Sequence, residues 1–410
     1  RGRGGGGGGG SSDTDCNGVP GHAGDELESS ESGEDVVFLA SKGADIIPPE
    51  AKFVVCSFDL VARHPHLHVT SASGEPYKVV ICDEAHYIKS PTAKRTQAIL
   101  PLLQKAKRAV LLTGTPLQNR ASELYTLIDS LLPGALPSYD DYVKRYCVKK
   151  ERVFGRGRYR RVHVSWEGST KPEELHTLLS SSVMLRRRKV DVLSELPPKR
   201  RQRVVLDGLK ASKLAQIAAE IDKHRHQLLS EAKAGSAAGG TLAEVFWMTG
   251  EAKIEAVCAY AKYLLESGQR FLMFAHHRVV LDEIEAVLDQ MRVDFVRIDG
   301  QTPPAQRYSL AERFQSDENV RVALLSMTAA GTGLTLHSAS LVVFAELFWV
   351  PGQLLQCEDR AHRHGQKENV DVHYLVAPGT VDDIIFPMVN RKFAHSSRTV
   401  DGGSAPMNIV

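Results

Sequence analysis

Two acids close a short apolar run in KVVICDEAHYIKS, Lys78 to Ser90. Val79-Val80-Ile81-Cys82 reads as a buried parallel strand, and Asp83-Glu84 follow at its C-terminal end. Open α/β sheets bind ligands at that edge. There one carboxylate can hold Mg²⁺ through its water shell, and the other can orient or deprotonate an attacking water. Alone, the pair reads more simply as a strand ending in an acidic helix cap, so its weight depends on what accompanies it. Thr113-Gly114-Thr115-Pro116 ends the next strand, where small hydroxylated residues can hydrogen-bond the acids and couple them to a neighbouring surface. On its own it is an ordinary turn. Farther on, SMTAAGTGLTLHSA follows another strand, and its Gly331 and Gly333 let backbone approach a phosphate or ribose. QCEDRAHRHGQ, Gln356 to Gln366, then sets Arg360 and Arg363 three apart on one helical face. Arginine suits bidentate phosphate recognition and stabilisation of transition-state charge. Together these stretches describe an ATP site between two lobes, closed by binding and opened by hydrolysis.

The elements that must position these residues alternate in a regular way. Strands are expected at Phe53–Cys56, Val79–Cys82 and Ala109–Leu112, with a helix from Ser122, which implies a first parallel sheet. A second alternation starts near Glu251. It has strands at Phe271–Phe274, Phe295–Ile298, Val322–Leu325, Leu341–Phe344 and Val372–Val376, with helices between and a last helix from about Val381 to Phe393. Between the two sheets lies a segment of helical and irregular character with two basic stretches. VFGRGRYRRVHV sets Arg156, Arg158, Arg160 and Arg161 beside Tyr159, which fits a nucleic-acid contact or an exposed hairpin. MLRRRKVDVLSELPPKRRQR can bind phosphates or serve as a nuclear import signal. Pro197-Pro198 marks a domain joint.

The fold class is therefore α/β, with two parallel-sheet lobes. The domains are 1–35, a disordered glycine-rich and acidic tail; 36–135, the first lobe; 136–250, a helical and basic insertion with a linker; 251–395, the second lobe; and 396–410, a loose tail. The net charge of +2 announces no polyanion partner by itself. The six cysteines are scattered without a close pair, which suits a reducing compartment rather than a zinc ribbon or disulfide scaffold. The glycine-rich start has no apolar signal core, and the most apolar late run is too short for a bilayer. His64, His66 and His68 would share one face if extended and could then ligate metal, but nothing completes a coordination sphere, and a surface loop is the simpler expectation.

Taken together, the motifs resemble the two RecA-like lobes of superfamily-two helicases, specifically the Swi/Snf-like DNA translocases. The HepA-related (HARP) annealing-helicase branch matches best. VVCSFDLV resembles the family's DNA-contacting motif on lobe one, VVICDEAHYIKSPTAKR its Walker B element, and LLTGTPLQN its motif III. MLRRRKVDVLSELPPKRR resembles the element spanning the lobes. FAHHRVVLD, RIDGQTPPAQR and the run from VALLSM to DRAHRHGQ resemble motifs IV to VI. The resemblance implies that Asp83 holds Mg²⁺, that Glu84 activates water, and that Arg360 and Arg363 are finger residues from lobe two. It implies that Gly331, Gly333 and Gln366 complete the nucleotide cleft, that Thr113, Gly114 and Thr115 couple the lobes, and that Ser57, Thr302 and Thr328 touch the tracked strand.

The implied activity is an ATP- and Mg²⁺-dependent translocase on double-stranded and branched DNA, rewinding stalled replication forks in DNA repair in the nucleus. Replication or repair proteins would dock through other regions. Alternatives are a nucleosome-remodelling ATPase with the same engine and an inactive DNA-binding scaffold. One departure bears on all three. The phosphate loop G-x-x-x-x-G-K-[ST] is absent, and with it the triphosphate cradle. The first lobe is therefore expected to be incomplete by a strand, a loop and a helix, as in a fragment or a misjoined reading frame.

Overall fold

The computed structural model describes residues 37–40, 45–69, 74–154, 161–234, 240–328, 333–403, 407 and 409. The glycine-rich start, most of the 235–240 linker, Arg156, Arg158, Tyr159, Arg160 and Gly331 lie outside them. In the first lobe β1 (Val37–Ala40) pairs in parallel with β2 (Phe53–Cys56), and β3 (Val79–Cys82) with β4 (Arg108–Leu111). The two pairs form separate sheets. Helices α1 (Phe58–Arg63), α2 (Lys94–Lys105), α3 (Ser122–Leu131) and α4 (Tyr139–Tyr146) supply a core with Val61, Ile99, Leu103, Leu124 and Tyr142, which takes in Cys82 and the half-buried Val80, Ala109 and Leu111. The other face of the strands is bare. Val37, Leu39, Phe53, Val55, Val79, Ile81, Val110 and Leu112 are each 40–62% exposed. Parallel strands are ordinarily covered on both faces, which is why they read as unbroken apolar runs.

The expected irregular segment is a hairpin, β5 (Val148–Phe154) and β6 (Arg161–Glu167), followed by α5 (Pro172–Ser182) and the short α6 (Lys189–Val192). The second lobe then begins upstream of the expected boundary at 251. β7 (Lys199–Val205) is the edge strand of its sheet, and α7 (Ala211–Ala234) and α8 (Thr241–Glu266) pack on the same core through Ile217, Leu228, Leu242 and Phe246. The chain continues as β8 (Phe271–Ala275), α9 (Arg278–Gln290), β9 (Phe295–Ile298), α10 (Pro304–Ser316), β10 (Val322–Ser326), β11 (Leu341–Phe344), α11 (Pro351–Ala361), β12 (Val370–Val376) and α12 (Asp382–Asp401). The six strands lie in the order β7-β12-β11-β8-β10-β9, all parallel. All five residues of β8 and of β10 are buried. At roughly 1.5–3 kcal/mol for each large apolar side chain removed from water, these central strands dominate the lobe's stability.

The expected loose tail is a correction. α12 runs on to Asp401 because its far end has a core to enter. Its first turns place Ile385, Met388 and Val389 in the second lobe's core, and Val400 packs in the first lobe's core. Ser396 Oγ donates to Leu117 O at 2.9 Å, and Arg186 Nε donates to Asp401 Oδ1 at 2.7 Å. Met407 is fully buried and its carbonyl accepts from Arg201. One helix thus ties the two lobes together.

Candidate active site between the lobes

The turn after β3 is held in an unusual shape. Glu84 has φ 48° and ψ 46°, the left-handed region that side chains other than glycine seldom adopt. Such a residue carries about 1–3 kcal/mol of strain unless its surroundings over-determine it. Here they do: Glu84 N donates to Asp83 Oδ1 at 2.9 Å, and Ala85 N donates to Leu112 O at 2.8 Å. The strained turn leaves Asp83 exposed and Glu84 half-buried beside the imidazole of buried His86, whose Nδ1 is 3.1 Å from Glu84 Oε2. That hydrogen bond, with the charges of His86 and Arg360, lowers the Glu84 pKa against the opposing effect of burial. The carboxylate is therefore kept ionised.

From Glu84 the contacts run to the other lobe. The same His86 Nδ1 lies 3.2 Å from Thr113 Oγ1, which accepts from Thr115 N at 3.1 Å. Thr115 packs on the start of α11, where a Cβ on Gly352 would sit 3.3 Å from Thr115 Cγ2. α11 also brings Gln356, whose Nε2 is 3.5 Å from Glu84 Oε2, the outer limit of a hydrogen bond. Arg360, one turn on, is buried at 7% exposure. Its Nη1 donates to Leu334 O at 3.2 Å, while its Nε is buried with no partner. Burial lowers its pKa, like-charged Arg363 adds to this, and Glu84 opposes it. Arg363 is exposed and donates to Gly333 O at 3.2 Å. Gly333 has φ +70°, a shape that favours glycine.

A buried ionic cluster behind α11 sets the helix. Glu358, with no exposed side-chain surface, accepts from Lys199 Nζ at 2.6 Å, from Arg201 Nε at 2.7 Å and Nη2 at 2.8 Å, and from Tyr374 OH at 2.5 Å. Asp359 takes Lys189 at 2.9 Å and Lys199 at 3.1 Å, and His362 Nε2 is 2.8 Å from Pro197 O. Burial alone would raise the Glu358 pKa, but Lys199 and Arg201 outweigh it and bring it to about 2. Lys189, Lys199 and Arg201 of the second basic stretch are thus occupied by acids of α11. Sequence reasoning passed over Glu358. The signal was a carboxylate two residues before Arg360, facing a strand that alternates cations.

The SNF2-related domain matches residues 35–237, and the helicase conserved C-terminal domain matches residues 252–365. The chain belongs to the Swi/Snf-like family. The SWI/SNF-related matrix-associated actin-dependent regulator of chromatin subfamily A-like protein 1 of Xenopus tropicalis is 43% identical over 341 residues, 82% of this chain and 34% of that protein. The DNA annealing helicase and endonuclease ZRANB3 of Mus musculus is 40% identical over 359 residues, 86% of this chain and 33% of that protein. The chain spans about a third of the length of the curated relatives it matches. Among solved structures, the Sulfolobus solfataricus SWI2/SNF2 ATPase core in complex with dsDNA matches 85% of this chain and 75% of its own at 21% identity, with a TM-score of 0.37.

In this Swi/Snf-like chain Asp83, Glu84, Thr113, Thr115 and Arg360 come together, with Gln356 and His86 as members the motif reading had not assigned. Gly114 is exposed in the same turn. Gln366 stands apart. Its Nε2 donates to the carbonyls of His337, Ala339 and Ala361, and its Oε1 accepts from Lys367 N and Glu368 N. An amide spent in this way pins the turn after α11. Ser57 caps α1, Thr302 Oγ1 accepts from Asp299 N, and Thr328 Oγ1 lies 2.9 Å from Ser326 Oγ. Each stands just past the C-terminal end of a parallel strand, Ser57 after β2, Thr302 after β9 and Thr328 after β10, in sheets other than the one that carries Asp83. The histidine triplet is a short 3₁₀ turn, with His66 and His68 each directed at a separate backbone carbonyl.

One exposed carboxylate beside a half-buried one fits a Mg²⁺ ion that keeps most of its waters and borrows ligands from phosphates. Asp83 would hold it. Among the described residues no group of three or more histidine, cysteine or carboxylate side chains is placed to hold a metal ion by itself.

Proposed function

We propose that this chain is the motor portion of an ATP-dependent DNA translocase acting on duplex and branched DNA, with Mg²⁺, in the nucleus, rewinding stalled replication forks as an annealing helicase. The observation that carries the reading is the approach of Gln356 and Arg360 from one lobe to Glu84 of the other. A base on one body and a buried, part-unpartnered guanidinium on the other make hydrolysis depend on lobe closure. Glu84 would orient the attacking water, Arg360 would meet charge developing on the transferred phosphoryl group, and Thr113, Thr115 and Gly352 would pass the closure between lobes. The mouse relative is named an annealing helicase, which supports the branch.

The bare apolar face of the first lobe is where a strand, loop and helix carrying a phosphate loop would pack in the longer protein. Ser57, Thr302 and Thr328 each follow the C-terminal end of a parallel strand, which suits sequence-tolerant contact with phosphates, and binding should weaken with salt. The test is ATP hydrolysis by this chain and by the longer protein, with and without forked DNA, using Glu84→Gln as control. DNA-stimulated turnover that survives Glu84→Gln would sink the assignment. A longer protein that binds DNA but neither binds nor hydrolyses ATP would leave the scaffold reading. Greater stimulation by nucleosomes than by forks would favour the remodelling one.

A further inference from the structure

Met407 and Ile409, past the end of α12, return to an edge of the second lobe's sheet. β7 is the edge strand there, and all seven of its residues pair with β12 on its inner side. An edge strand turns a row of backbone N–H and C=O groups outward, and a further extended chain can pair with them. Arg200, Gln202 and Arg203 are exposed along β7, and such charges ordinarily discourage pairing. Here part of the edge is occupied. α12 ends at Gly402, whose φ of 69° suits glycine and turns the chain out of the helix. Beyond it Met407 is fully buried in the second lobe's core, and Ile409 packs on the same core. Ile409 also forms a parallel bridge with Arg201 of β7. Two apolar residues two apart, both turned to one core beside an edge strand, have the period of a strand.

We propose that the outer edge of β7 is a docking site for an extended segment with apolar side chains at alternate positions, that Met407 and Ile409 of this chain are its occupant, and that their seating holds α11 in place. Backbone pairing supplies the attachment, and the alternate side chains supply the selectivity. The link to α11 is Arg201. Its Nε and Nη2 donate to the two carboxylate oxygens of Glu358 at 2.7 and 2.8 Å, and its Nη1 donates to Met407 O at 3.1 Å. The carbonyl of the docked segment therefore fixes the guanidinium in the orientation that meets Glu358 with two parallel bonds. An empty edge leaves that guanidinium free to turn away, and α11 loses part of its anchorage. The inference is independent of the hydrolysis reading, because it is tested by peptide binding and amide exchange rather than by turnover.

The experiment is amide hydrogen exchange, read by mass spectrometry, on the full chain and on Met407→Ser/Ile409→Ser. Tyr308→Ser, an exposed residue of α10, is the control. Each protein is measured alone, with a synthetic peptide of sequence SAPMNIV, residues 404–410, and with the same peptide scrambled. In the double variant the amides of β7 and α11 should exchange about tenfold faster than in the full chain while central β8 stays protected. Saturating SAPMNIV should restore both, and the control substitution and the scrambled peptide should change neither. Unchanged β7 exchange in the double variant overturns the docking site, as does a SAPMNIV peptide that protects no better than its scrambled form. Faster exchange in β7 with α11 unchanged overturns the link through Arg201. Where the double variant also deprotects β8, its fold is lost, and Ile409→Ser alone is read by the same criteria.

Discussion

Replacing Glu358 by Gln tests whether the edge strand β7 holds α11 by charge. The carboxylate has no exposed surface and neutralises two cations, Lys199 at 2.6 Å and Arg201 at 2.7 Å. Removing one partner of a buried ion pair costs about 3–5 kcal/mol, because the charge left behind stays desolvated. The titration leads to a similar figure. A pKa brought from 4.5 to about 2 corresponds to roughly 3 kcal/mol at 1.36 kcal/mol for each tenfold change. The sign follows from linkage. The folded-state pKa lies below the unfolded one, so the stabilisation is present in full above about 4.5 and is lost as pH falls toward 2. Urea melts can follow the tryptophans, two of which, Trp247 and Trp349, sit in the second lobe. The variant should be about 3 kcal/mol less stable than wild type at pH 7, and the difference should shrink between pH 4.5 and pH 3. A difference under about 1 kcal/mol, or one that stays constant across that pH range, would refute the cluster as a source of stability.

Three further outcomes follow from the same geometry. Ile81→Thr with Val110→Thr, on the bare face of the first lobe, should reduce binding of a hydrophobic dye and aggregation while changing stability by no more than about 0.5 kcal/mol, read by fluorescence and urea melts. Gly352→Leu forces a side chain against Thr115 and should cost about 1–3 kcal/mol of inter-lobe packing, read as faster proteolysis between the lobes with each lobe's core still protected. Lys253→Met leaves Asp382 buried without the ammonium now 2.9 Å away, a loss of about 3–5 kcal/mol. Lys253→Met/Asp382→Leu should recover part of that loss in the same melts.

The strands of both lobes were legible because each is a short apolar run bounded by turn residues, and Phe53–Cys56, Val79–Cys82, Phe295–Ile298 and Leu341–Phe344 fall where expected. The meeting of Glu84 with Arg360 was legible only through motifs, since 276 residues separate the two positions and no local pattern relates them. What escaped has two physical causes. Cations were read one by one as solvated or phosphate-seeking, whereas Lys199 and Arg201 alternate along a strand and so face inward together onto Glu358. An unbroken apolar strand also carries no mark of which face will be covered. Val79 and Ile81 are as apolar as Phe271 and Met273, yet the first two are exposed and the last two fully buried. The difference lies in what packs on the sheet, which the strand itself does not encode. The bare face therefore points to a surface that this chain's described residues do not cover. If a phosphate-loop element packs there in the longer protein, adding it should protect the amides of β3 and β4 from hydrogen exchange and remove dye binding at Ile81. An extended protein whose β3 and β4 exchange as fast as in this chain would separate the bare face from the missing motif.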